Sequence, residues 1–249
     1  MTPDASYTDS RLAALYDDLN PFGADTAFYL GVGAKHPDAT IVDLGCGTGL
    51  LTVGLARQGH RTIGVDPAGA MLDIARAREG GGLVEWIQGT SADLPNGEAD
   101  LAIMTGHVAQ VFVADAEWSA TLDDLRAALR PGGLLVFESR NPLAAAWLEW
   151  TPEDSRTELS TADGPLTAWN EVTEVADGVV SLTGHYRWAT GEHLEDRGAL
   201  RFRSEDELRA SLGAAGFAVR RIHGDWNGGP VAHDSRELIV EAETVGSSR

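Results

Sequence analysis

The stretch Ile41-Val42-Asp43-Leu44-Gly45-Cys46-Gly47-Thr48-Gly49 joins a short apolar run to three alternating glycines, and this junction restricts the fold more than any other part of the chain. The apolar run reads as a buried strand. Leu50-Leu51-Thr52-Val53-Gly54-Leu55-Ala56, directly after it, reads as a helix. Glycines at such a turn let the backbone approach a ligand where a Cβ would collide. The helix start adds free N–H groups and the positive end of a dipole. A strand, a glycine turn and a helix in this order suit a nucleotide-like ligand.

The same alternation continues along the chain. Residues 40–44, 62–66, 83–88, 101–105 and 134–139 are strand candidates, with helices over 49–58, 68–78 and 118–129. Pro131-Gly132-Gly133 marks the stop after the last of these helices. Strands separated by helices imply a parallel sheet covered on both faces. Two helices, 10–19 and 24–34, precede the first strand, split by Asn20-Pro21-Phe22-Gly23. After Asn141-Pro142 the pattern changes. Val180, Leu182, Gly184, Tyr186 and Trp188 fall on one face of an extended segment, and Ser181, Thr183, His185 and Arg187 on the other. Asp177-Gly178 before it is a hairpin signal, with a partner strand over 166–175 and a third strand over 194–203. Ser204 and Glu207 form a capping box for a helix that runs to Ala215. Residues 217–223 and 237–242 then return to the main sheet. The expected fold is α/β, a doubly wound, mostly parallel seven-stranded sheet with an antiparallel β insertion. Residues 1–249 read as a single domain, with 1–36 as helices over the ligand and 142–203 as a lid.

Two ligand classes place a glycine-rich turn after a first strand. The dinucleotide fingerprint has the spacing G-x-G-x-x-G and an acid about 20 residues on. Here the spacing is Gly45-x-Gly47-x-Gly49, Asp43 precedes the first glycine by two residues, and acids end the second strand (Asp66) and follow the third (Asp93). Singly, each acid is also good turn chemistry; three at three strand ends are harder to assign to turns alone.

Four ordered segments then carry a resemblance. Val42-Asp43-Leu44-Gly45-Cys46-Gly47-Thr48-Gly49, the stretch from Gly64-Val65-Asp66-Pro67 to Met71-Leu72-Asp73-Ile74-Ala75-Arg76, Gln88-Gly89-Thr90-Ser91-Ala92-Asp93-Leu94, and Leu129-Arg130-Pro131-Gly132-Gly133-Leu134-Leu135 are similar to the motifs of class I S-adenosylmethionine-dependent methyltransferases of the small-molecule type. The resemblance covers residues 40–140 and the Ala215-Gly216-Phe217 turn. It implies a Rossmann-like methyltransferase fold and S-adenosyl-L-methionine as cofactor. It further implies that Asp43 and the backbone around Gly45, Cys46 and Gly47 belong to the cofactor site, with that backbone against the methionine and ribose; a cap on the following turn is the other reading of Asp43. Asp66 is implied to accept from the ribose hydroxyls, Pro67 and Met71 to pack on the adenine, and Asp93 to accept from its amino group, with Ala92 and Leu94 contributing backbone. Thr105 and Gly106 are implied at the methionine end, and Tyr16 as a tyrosine folded over the cofactor. Cys46 also reads as a small turn residue, and Met71 as core.

Methyl transfer from a sulfonium is an in-line displacement, so the protein's main task is alignment in a dry pocket. A base is needed only when the acceptor must lose a proton. His107, directly after Thr105-Gly106, is the candidate base; a local capping role is the competing reading. The net charge of −19 disfavours a nucleic-acid partner, since no basic run exceeds Arg220-Arg221. Thr105-Gly106-His107-Val108 is unlike the Asn/Asp-Pro-Pro-Tyr of nucleic-acid amino methylation, and Cys46 lies in the wrong motif for cytosine-C5 chemistry, so a small-molecule acceptor is expected. His185, Tyr186, Arg187, Trp188, Arg201 and Arg203 are candidate acceptor contacts, although the acids around them favour ion pairs across strands. A single cysteine excludes an intrachain disulfide and a cysteine-based metal cluster, and no metal is expected. The only lysine, Lys35, sits in no P-loop or Tyr-x-x-x-Lys pattern. The apolar runs are too short to cross a bilayer and the first residues lack a signal peptide's regions, so a cytoplasmic location without a membrane partner is expected. A nicotinamide dehydrogenase and a non-catalytic cofactor-binding scaffold stay open beside the methyltransferase reading.

Overall fold

The computed structural model describes residues 5–246. Three short helices, α1 (Ala5–Thr8), α2 (Ser10–Ala13) and α3 (Tyr16–Leu19), precede α4 (Ala24–Ala34). The sequence predicts one helix over 10–19. The backbone instead tightens at Leu15, whose N–H donates to the Leu12 carbonyl three residues back. The break serves two surfaces at once: Leu12 and Leu15 pack with Leu166 and Trp188, while Ala13 packs on Met71.

The alternation follows as β1 (Thr40–Leu44), α5 (Leu50–Arg57), β2 (Arg61–Asp66), α6 (Gly69–Ala77), β3 (Val84–Gln88), β4 (Ala99–Met104), α7 (Val108–Val111), α8 (Asp115–Ala128) and β5 (Leu129–Arg140). A second sheet comprises β6 (Thr157–Thr161), β7 (Gly164–Ala176), β8 (Val179–Trp188) and β9 (His193–Arg201); α9 (Glu205–Ala214), β10 (Phe217–His223) and β11 (Glu237–Thr244) complete the chain. The main sheet has seven strands in the order β10-β11-β5-β4-β1-β2-β3. The five strands β1 to β5 are parallel, and β11 runs antiparallel to both β5 and β10.

Burial on both faces explains why the central strands are nearly continuous apolar runs. Val42, Ala102 and Met104 face α8 through Trp118 and Leu122. Ile41, Leu101 and Ile103 face α4 and α5 through Tyr29, Val32 and Leu55. Strand order reverses between β1 and β4, because β2 and β3 extend the sheet to one side and β5 to the other. The crevice at that reversal, outside the carboxyl ends of β1 and β4, is where ligands bind in open α/β sheets.

Asp177 and Gly178 turn β7 into β8 with φ of 50° and 75°. Both values are positive, as a two-residue type I′ turn requires. Ser204 and Glu207 close the expected capping box on α9. The strand β6 was not among the predicted elements; it pairs antiparallel with β7 at the edge of the second sheet.

Candidate active site

Each of the three glycines after β1 has positive φ, but for different neighbours. A Cβ at Gly45 would lie 2.4 Å from Val108, and one at Gly49 would lie 2.5 Å from Trp86. Those two glycines make room for α7 and for β3. At Gly47 the nearest atom beyond its own chain neighbours is in the Tyr16 ring, 3.9 Å away. Gly47 opens onto a cavity of about 600 Å³, well within the size range of ligand pockets.

Asp66, at the end of β2, holds this loop. Its Oδ2 accepts from the Gly47 N–H at 2.9 Å and its Oδ1 from the Ala68 N–H at 2.8 Å. Burial pushes its pKa up, and the two backbone bonds oppose that shift. Each carboxylate oxygen keeps a further lone pair for a hydroxyl donor. Asp43 lies deeper, buried beneath the turn, where it accepts from the Thr52 hydroxyl at 2.6 Å. Its Oδ1 has no partner. Burial, with Asp66 and Glu138 nearby and the Thr52 bond opposing, lifts its pKa to about 7.

Three walls enclose the cavity. Gly45, Cys46, Gly47, Thr105, Gly106 and His107 come from the carboxyl ends of β1 and β4. Tyr16 and Asp17 come from α3, and Trp169, His185, Tyr186 and Asp196 from the second sheet. Asp17 fastens α3 to the glycine turn: it accepts from the Thr48 hydroxyl at 2.5 Å and pairs with Arg78, whose Nε donates to the Thr48 carbonyl at 3.0 Å.

His107 sits in the left-handed region, φ 63°, after Gly106 at 67°. A non-glycine residue there needs support, which Glu138 on β5 supplies. One oxygen of Glu138 accepts from the His107 N–H at 2.7 Å, and the other accepts from the Tyr29 hydroxyl. The imidazole Nε2 lies 3.1 and 3.2 Å from the two carboxylate oxygens of Glu237 on β11. His107 therefore starts α7 without a side-chain cap and is held by a carboxylate instead.

Seven of the predicted cofactor and catalytic residues thus meet at one cavity: Tyr16, Gly45, Cys46, Gly47, Thr105, Gly106 and His107. Asp66 is tied to it through Gly47. Asp43, Met71 and Leu94 are buried away from its wall. Pro67, Ala92 and Asp93 also lie off the wall; Asp93 accepts from the Thr90 N–H at 2.8 Å and closes a capping box. Met71 is covered because Tyr7, Ala13 and Tyr16 pack against it.

The lid arginines take structural partners. Arg201 pairs with Glu207 at 2.9 Å. Arg203 donates to the Phe112 carbonyl at 2.8 Å, pairs with Asp115 at 3.3 Å and lies over the Trp118 ring. Arg187 lies over Trp169, and Trp188 is buried with Leu12 and Leu15. Of the six candidate acceptor contacts only His185 and Tyr186 line the cavity.

The arginine that does line it is Arg140, at the end of β5, which donates to Gln110 Oε1 at 3.0 Å and lies over the Trp150 ring. Sequence reasoning missed Arg140, Glu138 and Glu237. An acid inside the apolar run Leu-Leu-Val-Phe-Glu138-Ser is the signal that could have found Glu138.

S-adenosylmethionine fits this donor set. The open face of Gly47 takes a ligand without collision, and the free lone pairs of Asp66 suit a ribose diol.

Residues 41–133 match the family described as methyltransferase domain. The chain is similar to the cypemycin N-terminal methyltransferase of a Streptomyces species, 26% identical over 258 residues that cover 96% of this chain and 98% of that one. The solved structure of the CcbJ methyltransferase from Streptomyces caelestis superposes with a TM-score of 0.76 at 21% identity, over 96% of this chain and 99% of that one. The SAM-bound structure of CalS10, an amino pentose methyltransferase from Micromonospora echinaspora, gives 0.68 at 24% identity, over 93% and 95%. The shared fold is the Rossmann-like one expected from the motifs.

Proposed function

We propose that this chain, a class I S-adenosylmethionine-dependent methyltransferase, methylates an amine nitrogen of a small molecule held between the carboxyl edge of the main sheet and the second sheet as its lid. Bound S-adenosylmethionine supplies a methyl group already activated on a sulfonium. The remaining work belongs to the protein: to align the acceptor, exclude water and remove a proton.

The observation that carries the reading is His107 on the cavity wall with its Nε2 against Glu237. The tautomer with the proton on Nε2 donates to that carboxylate and leaves Nδ1 as a base. An amine reaches the site as an ammonium ion and must lose a proton before its lone pair can attack. The cavity is bordered by the acids Asp17, Asp25 and Asp196 against the single arginine Arg140, a balance that favours a cation over an anion. Similar proteins include the cypemycin N-terminal methyltransferase, an amino pentose methyltransferase and the sugar N-methyltransferase KedS8, which supports an amine acceptor. In this reading α2 and α3 cover the cofactor, with Tyr16 against its methionine end.

The test is transfer of labelled methyl from the cofactor to matched small amines, alcohols and carboxylic acids. Amines are expected to be labelled, and His107→Ala to lower turnover by about 10²- to 10⁴-fold with S-adenosylhomocysteine affinity near wild type. Labelling confined to alcohols or acids overturns the amine assignment. Cofactor binding without transfer to any acceptor in broad metabolite extracts favours the scaffold reading instead.

A further inference from the structure

One face of the second sheet carries a cluster of titratable side chains to which the proposed methyl transfer assigns no role, although His185 and Trp169 also border the cavity. Register places Trp169 of β7, His185 of β8 and Glu195 of β9 directly opposite one another. His193 faces Arg187 one step along, and Glu171 faces Thr183 on the other side. Side chains alternate across a strand, so His185, His193, Glu195, Glu171 and Trp169 share a face. Tyr186 and Asp196 occupy the opposite one.

We infer that His185, His193 and Glu195 form a binding site for a divalent transition-metal ion of the zinc type. Their donor atoms all lie within 4.8 Å of one another. His185 Nδ1 is 3.1 Å from His193 Nε2 and 4.0 Å from Glu195 Oε1. Tetrahedral zinc with bonds of about 2.0–2.1 Å holds its ligands roughly 3.3 Å apart, so the two nitrogens already have the separation one ion needs. A small rotation of the exposed Glu195 completes the set. Two histidines and one carboxylate also leave a fourth position for water.

The surroundings support the ligands. His185 is 9% exposed, and its Nε2 is buried without a hydrogen-bond partner. The nearest carboxylate oxygen to that nitrogen is Glu171 Oε2 at 3.5 Å. With a metal on Nδ1 the proton must sit on Nε2, aimed at Glu171, which is the carboxylate–histidine–metal relay common at such sites. Arg197 holds the second oxygen of Glu195 at 3.1 Å and leaves Oε1 for the ion. Trp169 stacks on His185 at 4.8 Å and 9°, which fixes the ring plane. An ion here staples β8 to β9 beside the cavity.

The purified protein, stripped with a chelator, is titrated with zinc chloride by calorimetry, and cobalt(II) absorption reports the coordination. One equivalent is expected to bind and to raise the melting temperature. His193→Ala and Glu195→Gln replace exposed side chains and are each expected to weaken zinc binding at least tenfold; Glu171→Gln is expected to weaken it about 10–100-fold. His233→Ala, at an exposed histidine elsewhere, is expected to change nothing. S-adenosylhomocysteine affinity, measured alongside, reports the fold and the methyl-transfer site separately. Sub-stoichiometric zinc binding overturns the inference, as does equal binding by the His193 and Glu195 variants; a plain N–H···N bond between the two histidines then accounts for the 3.1 Å contact.

Discussion

Asp66→Asn tests the link between the glycine turn and the cofactor without an acceptor in hand. The carboxylate accepts two backbone N–H groups, from Gly47 and Ala68, one on each oxygen. An asparagine offers a single acceptor oxygen. Whichever way the amide is turned, its NH₂ confronts one of those N–H donors. A hydrogen bond to a charged group contributes about 1.5–3 kcal/mol, and a buried donor left unpaired costs a comparable amount. Burial already disfavours the Asp66 carboxylate, so losing the charge returns part of that cost, and a net loss of about 1–2 kcal/mol follows. For a chain of this size each kcal/mol lowers Tm by about 2–4 °C, which puts the fall at roughly 2–8 °C. Ligand affinity falls as well, because a ribose hydroxyl that donated to the lost oxygen has no acceptor. That loss of about 1.5–3 kcal/mol corresponds to roughly 10- to 150-fold in Kd. Thermal melting and calorimetric titration with S-adenosylhomocysteine measure both quantities. Affinity within twofold of wild type refutes the ribose assignment, and an unchanged Tm refutes the bracing of Gly47.

Gly47→Ala and Gly49→Ala separate binding from folding. Left-handed backbone costs a Cβ-bearing residue about 1–2 kcal/mol at either position. Only at Gly49 does the Cβ also strike Trp86, so Gly49→Ala should melt lower while Gly47→Ala should lose more cofactor affinity; the reverse order sinks the assignment. Glu237→Gln should lower turnover by about tenfold, near 1.4 kcal/mol in the barrier, with cofactor affinity retained, as steady-state kinetics on a labelled acceptor would show. Asp43 sets a pH dependence. Its folded pKa of about 7 lies above the ordinary aspartate value of 3.8, so between those values the folded state holds a proton that the unfolded state has lost. Stability therefore falls as pH rises through this window and levels off above it. Melting curves from pH 5 to 8 should show that decline in wild type and a flatter profile in Asp43→Asn; parallel profiles would remove Asp43 from the effect.

The parts of the fold visible in sequence are those fixed by neighbours a few residues apart. β1, β2 and β4 read as apolar runs because both their faces are buried, and Asp177-Gly178 and Ser204/Glu207 carry turn and cap chemistry within four positions. The hidden parts depend on distant partners. Nothing near Ala14 and Leu15 shows that α2 and α3 serve two surfaces. Asp66 reaches Gly47 across 19 residues and His107 reaches Glu237 across 130. The direction of Arg201, the last residue of β9, and of Arg203 beyond it was decided by Glu207, Asp115 and Trp118. Residues of the glycine turn and the β4 end were found because the backbone itself forms the wall there; the groups that brace them were not.

The Asp17 contact with Thr48 and Arg78 has a consequence for traffic through the cavity. It joins α3 to the glycine turn at the cavity wall, so loosening this junction is expected to speed the release of a molecule bound there. The Arg78 and Asp17 side chains are 21% and 36% exposed, and such pairs contribute about 0–1 kcal/mol. Salt weakens them further. Residence time at this site is therefore expected to depend on the medium as well as the fold, shortening as ionic strength rises.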